Sequence, residues 1–174
     1  MEWEVMQKIE VRQVSKFEAR EVFKRLVIDH SDNFLQRFFR DVFQDEFNPI
    51  ALPEKERSYP IMSANGCDEA LLGIREISDQ PKVWNISSMG RIIENDKTEG
   101  WQYLKAILDF AMERGVKIIN STVSDAGEKV FRELEINGGL PRNYRMEWSP
   151  RGDKKGVKLL IELGQVKSGV LLAH

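Results

Sequence analysis

Of the 174 residues only Cys67 is a cysteine, and only His30 and His174 are histidines. A lone thiol excludes an internal disulfide and a Cys-rich zinc site. Two histidines with no His-Glu-x-x-His spacing leave no pattern for a metal centre. No apolar run approaches the roughly 18 residues that cross a bilayer. The opening stretch, MEWEVMQKIEV, alternates charge with hydrophobicity and has neither the basic start nor the apolar block of a secretory signal. The expected setting is a reducing cytoplasm. Charge of one sign is missing too: 26 basic side chains against 28 acidic ones give a formal net charge of −2. That balance supplies no bulk attraction to nucleic acid or to an anionic membrane. There is no Gly-x-Ser-x-Gly elbow, no Walker loop and no Cys-His pair in a recognisable setting, which argues against hydrolases and nucleoside triphosphatases. Internal repeats and low-complexity segments are absent as well.

What is present centres on residues 82–134. Residues 83–93 are rich in β-formers and 95–100 are a polar break. Trp101, Leu104, Ile107, Leu108 and Ala111 then recur at helical spacing until Gly115 stops the helix. Residues 116–123 (VKIINSTV) form a short β-branched run suited to a strand covered on both faces. A second helix follows, with Ser124 or Asp125 as its cap, Glu128 three after Asp125 as in a capping box, and Val130, Phe131 and Leu134 as its apolar face. The unit is strand, loop, helix, strand, helix, with the first and second strands as neighbours and a right-handed crossover between them.

The flanking sequence supplies further elements. Residues 4–14 alternate near period two and read as a strand. Ser15 and Glu18 make a capping box for a helix whose stripe is Ala19, Val22, Phe23, Leu26 and Val27. A second helix places Phe34, Leu35, Phe38, Phe39, Val42 and Phe43 on one face, which serves either as core or as the wall of an acyl channel. Residues 44–60, with Pro49, Pro53 and a charged run, read as loop. Strands at 59–64 and 69–77 flank Asn65-Gly66, a strong hairpin signal, across a connection nearer four residues than two. Asn137-Gly138-Gly139 and Pro141 end the last helix, and strands at 143–148 and 156–163 turn through Arg151-Gly152-Asp153. The length suits one domain over residues 1–174. Its fold class is α/β (α+β), a mixed central sheet flanked by helices in the order βαα-βββ-αβα-ββ.

A loop leading from a strand into a helix N-terminus is a ready anion site, because the first amide groups of the helix lack intrahelical partners. The order of elements resembles the core of the GCN5-related N-acetyltransferase (GNAT) superfamily, in which this strand and loop hold the pantetheine arm and pyrophosphate of an acyl donor. By that resemblance the donor-binding positions are Gly90, Arg91, Asn95, Thr98 and Gly100, and of the superfamily's loop glycines only Gly100 is present. The chemistry implied is transfer of an acyl group from a thioester to an amine. It requires orientation, a polarised carbonyl and a proton acceptor, often water.

Four passages resemble one branch in particular, the acyl-homoserine-lactone (autoinducer) synthases. They are Arg20-Glu21-Val22-Phe23-Lys24-Arg25-Leu26, Leu72-Gly73-Ile74-Arg75, Trp84-Asn85-Ile86-Ser87-Ser88-Met89, and 124–131 followed by Gly139-Leu140-Pro141. The resemblance implies catalytic positions at Asn85, Ser87 and Arg75, and substrate-binding positions at Arg20, Phe23, Met89 and Ser124. The family's central-strand glutamate is here Asn85, and an amide accepts no proton at neutral pH. The implied co-substrate is acyl-ACP or acyl-CoA, with no tightly bound cofactor. The acceptor is a small-molecule amine, S-adenosylmethionine if the family reaction is kept. Acyl carrier protein is a possible partner: Arg142, Arg145, Arg151, Lys154, Lys155 and Lys158 either form an ordinary solvated face or offer that acidic protein a dock. An ordinary coenzyme A-dependent N-acetyltransferase and a catalytically silent relative that binds a ligand or protein are the competing readings.

Overall fold

The protein is described by a computed structural model over residues 8–15, 17–19, 21–22, 57–91, 98–123, 125–150 and 157–164. Seven strands, β1 (Ile9–Val14), β2 (Arg57–Ala64), β3 (Cys67–Asp79), β4 (Lys82–Arg91), β5 (Ile118–Val123), β6 (Tyr144–Pro150) and β7 (Val157–Leu163), form one sheet in the order β1-β2-β3-β4-β5-β7-β6. Two helices, α1 (Gly100–Glu113) and α2 (Asp125–Ile136), follow β4 and β5 in the chain. The mixed sheet with flanking helices is the expected fold class, and β4 and β5 are neighbours as the βαβ order requires. The expected helix over 34–43, with its aromatic face, lies outside the described residues. Contacts group the chain into two compact units, Met1–Arg75 with Ile86–Glu99, and Glu76–Asn85 with Gly100–His174.

In the first unit, residues 17–19 and 21–22 are helical, and Ser15 caps them: its Oγ accepts from the amide of Glu18 at 3.1 Å. The reciprocal half of the expected capping box is diverted, because the Glu18 carboxylate accepts from Arg12 on β1. Arg12 also donates to both oxygens of Asp68 at 3.1 Å, and Ser63 donates to Asp68 at 2.7 Å, so one guanidinium ties β1, β3 and the helix start together. Its two carboxylate partners raise the Arg12 pKa against the opposing effect of burial.

The β2–β3 hairpin corrects two expectations. Its loop is only Asn65-Gly66, with Ala64 facing Cys67, and both loop residues have positive φ (51° and 76°), the signature of a type I′ turn. The polar residues Cys67 and Asp68, expected in the connection, are already paired. Residues 57–58, expected as loop ahead of the 59–64 strand, already belong to β2, in which Pro60 lies opposite Gln13 of β1. Tyr59, Ile61, Met62, Ala70, Leu71, Leu72 and Ile74 are each 3% exposed or less, so runs of neighbouring residues are buried on both faces. Each such large side chain contributes about 1.5–3 kcal/mol.

The second unit is built on β5, β7 and β6. Ile119 faces Ile161, which faces Met146, and Ser121 faces Leu159, which faces Trp148. This period-two set forms one covered face, and α2 reaches it through Phe131, whose ring meets Trp148 edge-on at 6.3 Å. Helix α1 buries Trp101, Tyr103, Leu104, Ile107, Leu108, Phe110 and Ala111, and Phe110 packs against Trp84 of β4 at 6.1 Å. The two helices also pack on each other. Each ends in a Schellman motif. Gly115 (φ 75°) donates to Met112 and Val116 to Ala111 after α1, and Gly138 (φ 67°) donates to Glu135 and Gly139 to Leu134 after α2.

The start of α2 corrects a further expectation. The helix already includes Asp125, so Asp125 is not its cap, and the Glu128 carboxylate accepts from Nε and Nη2 of Arg132 at 2.8 and 2.7 Å instead of capping.

Candidate active site

Strand β4 enters beside β5 within the second unit. The carbonyl of Lys82 accepts from the amide of Lys117 at 2.9 Å, and Asn85 reaches Asn120, so both strands advance in the same direction. Asn85 is half-buried, and its Nδ2 donates to the carbonyl oxygen of Asn120 at 3.0 Å. At the position where the resemblance called for a proton acceptor, this chain places a hydrogen-bond donor that holds a neighbouring strand. Asn120 was missed in the sequence. Its only local mark is that it is the exposed polar residue directly after Ile118-Ile119.

Ser87, Met89 and Gly90 are residues of β4, and Arg91 is its last. The structure brings two predicted donor positions together: Arg91 Nη2 donates to the carbonyl of Thr98 at 2.5 Å, a charge-assisted bond across the connection between β4 and α1. Thr98 is only 2% exposed. Arg20, Phe23, Asn95 and Ser124 lie outside the described residues.

Gly100 opens α1. A Cβ built there would stand 3.2 Å from Cγ1 and 3.5 Å from Cγ2 of Val130 on α2, so the glycine permits a close helix–helix approach. The first turn of α1 carries no acidic side chain, whereas the first turn of α2 holds Asp125 and Glu128. The start of α2 thus carries its own acidic complement, whereas at α1 no acid lies within the first turn and the exposed Glu99 stands just before it.

Arg75 is exposed near the end of β3, beside Ile74, which is 2% exposed, and it faces Arg57 of β2. Arg57 was hidden from sequence reading because its charged neighbours read as loop. Of the expected basic face, Arg142 and Arg145 are exposed, but Arg145 donates to Glu147, an acidic residue on the same strand. Arg151, Lys154 and Lys155 lie outside the described residues.

Neither a family model nor a curated protein matches this sequence. Solved structures do. The N-acetyltransferase PseH of Campylobacter jejuni is 11% identical with a TM-score of 0.54, the match covering 90% of this chain and 99% of that one. The aminoglycoside acetyltransferase AAC(6')-Ib in complex with coenzyme A is 12% identical with a TM-score of 0.58, covering 90% and 95%. FdhC, a nucleotide-linked sugar GNAT, is 13% identical with a TM-score of 0.54, covering 90% and 87%. At such identities the likeness is one of architecture, and the chain has the GNAT acetyltransferase fold. None of these three is an autoinducer synthase, so that finer resemblance rests on the sequence passages alone.

Proposed function

We propose that the chain is a coenzyme A-dependent N-acyltransferase acting on the amine of a small molecule. The observation that carries the reading is the strand β4 leading into helix α1 at Gly100, in a fold shared with N-acetyltransferases of which one is bound to coenzyme A. In this reading the N-terminus of α1 receives a donor phosphate, and the thioester is oriented along β4. Asn85 is an amide and cannot act as the base, so the amine proton leaves through water. Arg75, at an exposed position on β3, is the residue assigned in this reading to an acceptor that carries a carboxylate or another anionic group.

Calorimetric titration with coenzyme A, acetyl-CoA and acyl carrier protein tests the donor. Saturable binding of the first two and none of the third is expected. Transfer is followed by chromatography against a panel of amino sugars, aminoglycosides and S-adenosylmethionine. Thiol reagents are unsuitable without Cys67→Ser, because Cys67 is an exposed free thiol. Tight carrier-protein binding with transfer to S-adenosylmethionine restores the autoinducer-synthase reading. Coenzyme A binding without transfer to any amine points to a silent relative.

A further inference from the structure

We propose that β6 is the interface of a homodimer in which two copies join their sheets edge to edge, antiparallel, about a two-fold axis at Met146. The strand ends the sheet, and among the described residues no strand pairs with its outer side. Its backbone register fixes which groups face outward. Gly164 donates to the carbonyl of Asn143 at 2.8 Å, and Tyr144 faces Leu163. The polar backbone groups of Asn143 therefore point at β7. Strict alternation then sends those of Tyr144, Met146 and Trp148 to the open edge. Pro150, the next in that series, has no N–H and closes the pairing stretch.

The five residues Tyr144-Arg145-Met146-Glu147-Trp148 are chemically palindromic: aromatic, cation, Met, anion, aromatic. In an antiparallel pair centred on Met146, each Met146 exchanges both backbone bonds with its counterpart, and each Tyr144 does so with the partner's Trp148. Arg145 then faces the partner's Glu147 in a non-hydrogen-bonded pair, where Cα atoms approach to about 4.5 Å and side chains lie closest. The two-fold repeats that pair, giving the isologous interface a closed dimer requires. A register centred on Arg145 would set the two arginines against each other, and one centred on Glu147 the two glutamates. The side chains of Arg145 and Glu147 are 59% and 50% exposed and bond to each other within the strand, ready to exchange for the same contact across the axis. Tyr144 is 36% exposed.

The test uses the full chain in sedimentation velocity from low micromolar to near millimolar concentration. The wild type is expected to shift reversibly from monomer to dimer. Arg145→Glu or Glu147→Arg alone places like charges opposite each other twice, and each should raise the dissociation constant roughly tenfold or more. The double exchange Arg145→Glu with Glu147→Arg keeps the palindrome and should restore dimerisation. Mixing the two single variants should give heterodimer. Met146→Pro removes an outward N–H that the β6–β7 ladder does not use, so it should abolish the dimer while the melting curve shows a folded chain. A wild type monomeric at every concentration overturns the proposal, as does a dimer indifferent to the single charge reversals.

Discussion

The Nδ2 of Asn85 donates to the carbonyl of Asn120 at 3.0 Å and so joins β4 to β5 through a side chain. Only a donor can make this bond. In Asn85→Asp the ionised carboxylate would face a carbonyl, acceptor against acceptor, whereas the protonated acid could still donate. The folded state then favours the protonated form and raises the pKa of the new carboxyl. Its stabilising contribution is present below the unfolded pKa and is lost as pH rises through the folded one. Unfolding free energies of variant and wild type should therefore converge in acid and separate near neutrality, by about 1 kcal/mol. A difference independent of pH would show that Asn85 does not donate there.

Gly100→Val tests the donor site only if its packing cost is removed. The substituent meets Val130 at 3.2 Å, so the single variant should lose about 1–3 kcal/mol of stability from overpacking. Combined with Val130→Ala, much of that loss should return. If the start of α1 binds a donor phosphate, the double variant still binds coenzyme A at least tenfold more weakly, about 1.4 kcal/mol. Val130→Ala alone serves as the control.

Arg75→Lys keeps the charge and removes the planar fork. Bidentate recognition of an acceptor carboxylate predicts a roughly ten- to hundredfold loss in kcat/KM for the acceptor, with coenzyme A affinity unchanged. A residue serving only the surface predicts a stability change within about 0.5 kcal/mol and unchanged transfer.

Tyr144 donates to Glu135 at 3.3 Å, and its phenol is raised above the ordinary tyrosine value, first by desolvation and then by the charge of Glu135 and its hydrogen bond. The stability this confers is present below the unfolded pKa and is lost as pH rises through the folded pKa. Glu135→Gln should lower the titration midpoint, yet not to the free value, because desolvation remains. Ultraviolet titration, with Tyr144→Phe to assign the signal among three tyrosines, measures it.

Period and punctuation made most elements legible in the sequence. The helical repeat through Trp101, Leu104 and Ile107 with Gly115 behind it, and the Asn65-Gly66 signal, define elements that the structure repeats. The start of β2 was not legible, because Arg57 and Ser58 follow a charged, Pro-containing run whose strand state is fixed by pairing with β3. The site was less legible still. Whether Asn85 points at a substrate or at a neighbouring carbonyl depends on an Asn120 thirty-five positions away, and nothing local encodes that pairing.

The doubly buried hairpin has one more consequence. Where one face of a strand is wet, a slip by one residue exposes the greasy side and is rejected on that ground. The neighbours Ile61 and Met62, like Ala70, Leu71 and Leu72, are all buried, so a slipped β2–β3 ladder presents nearly the same surface as the correct one. The ruler for alignment is then the two-residue turn, whose positive φ values admit few side chains, together with the one-residue register shift between Met62 and Ser63. Damage at Asn65 or Gly66 is a fault of measurement, and it should show itself far from the turn as misaligned, association-prone chains.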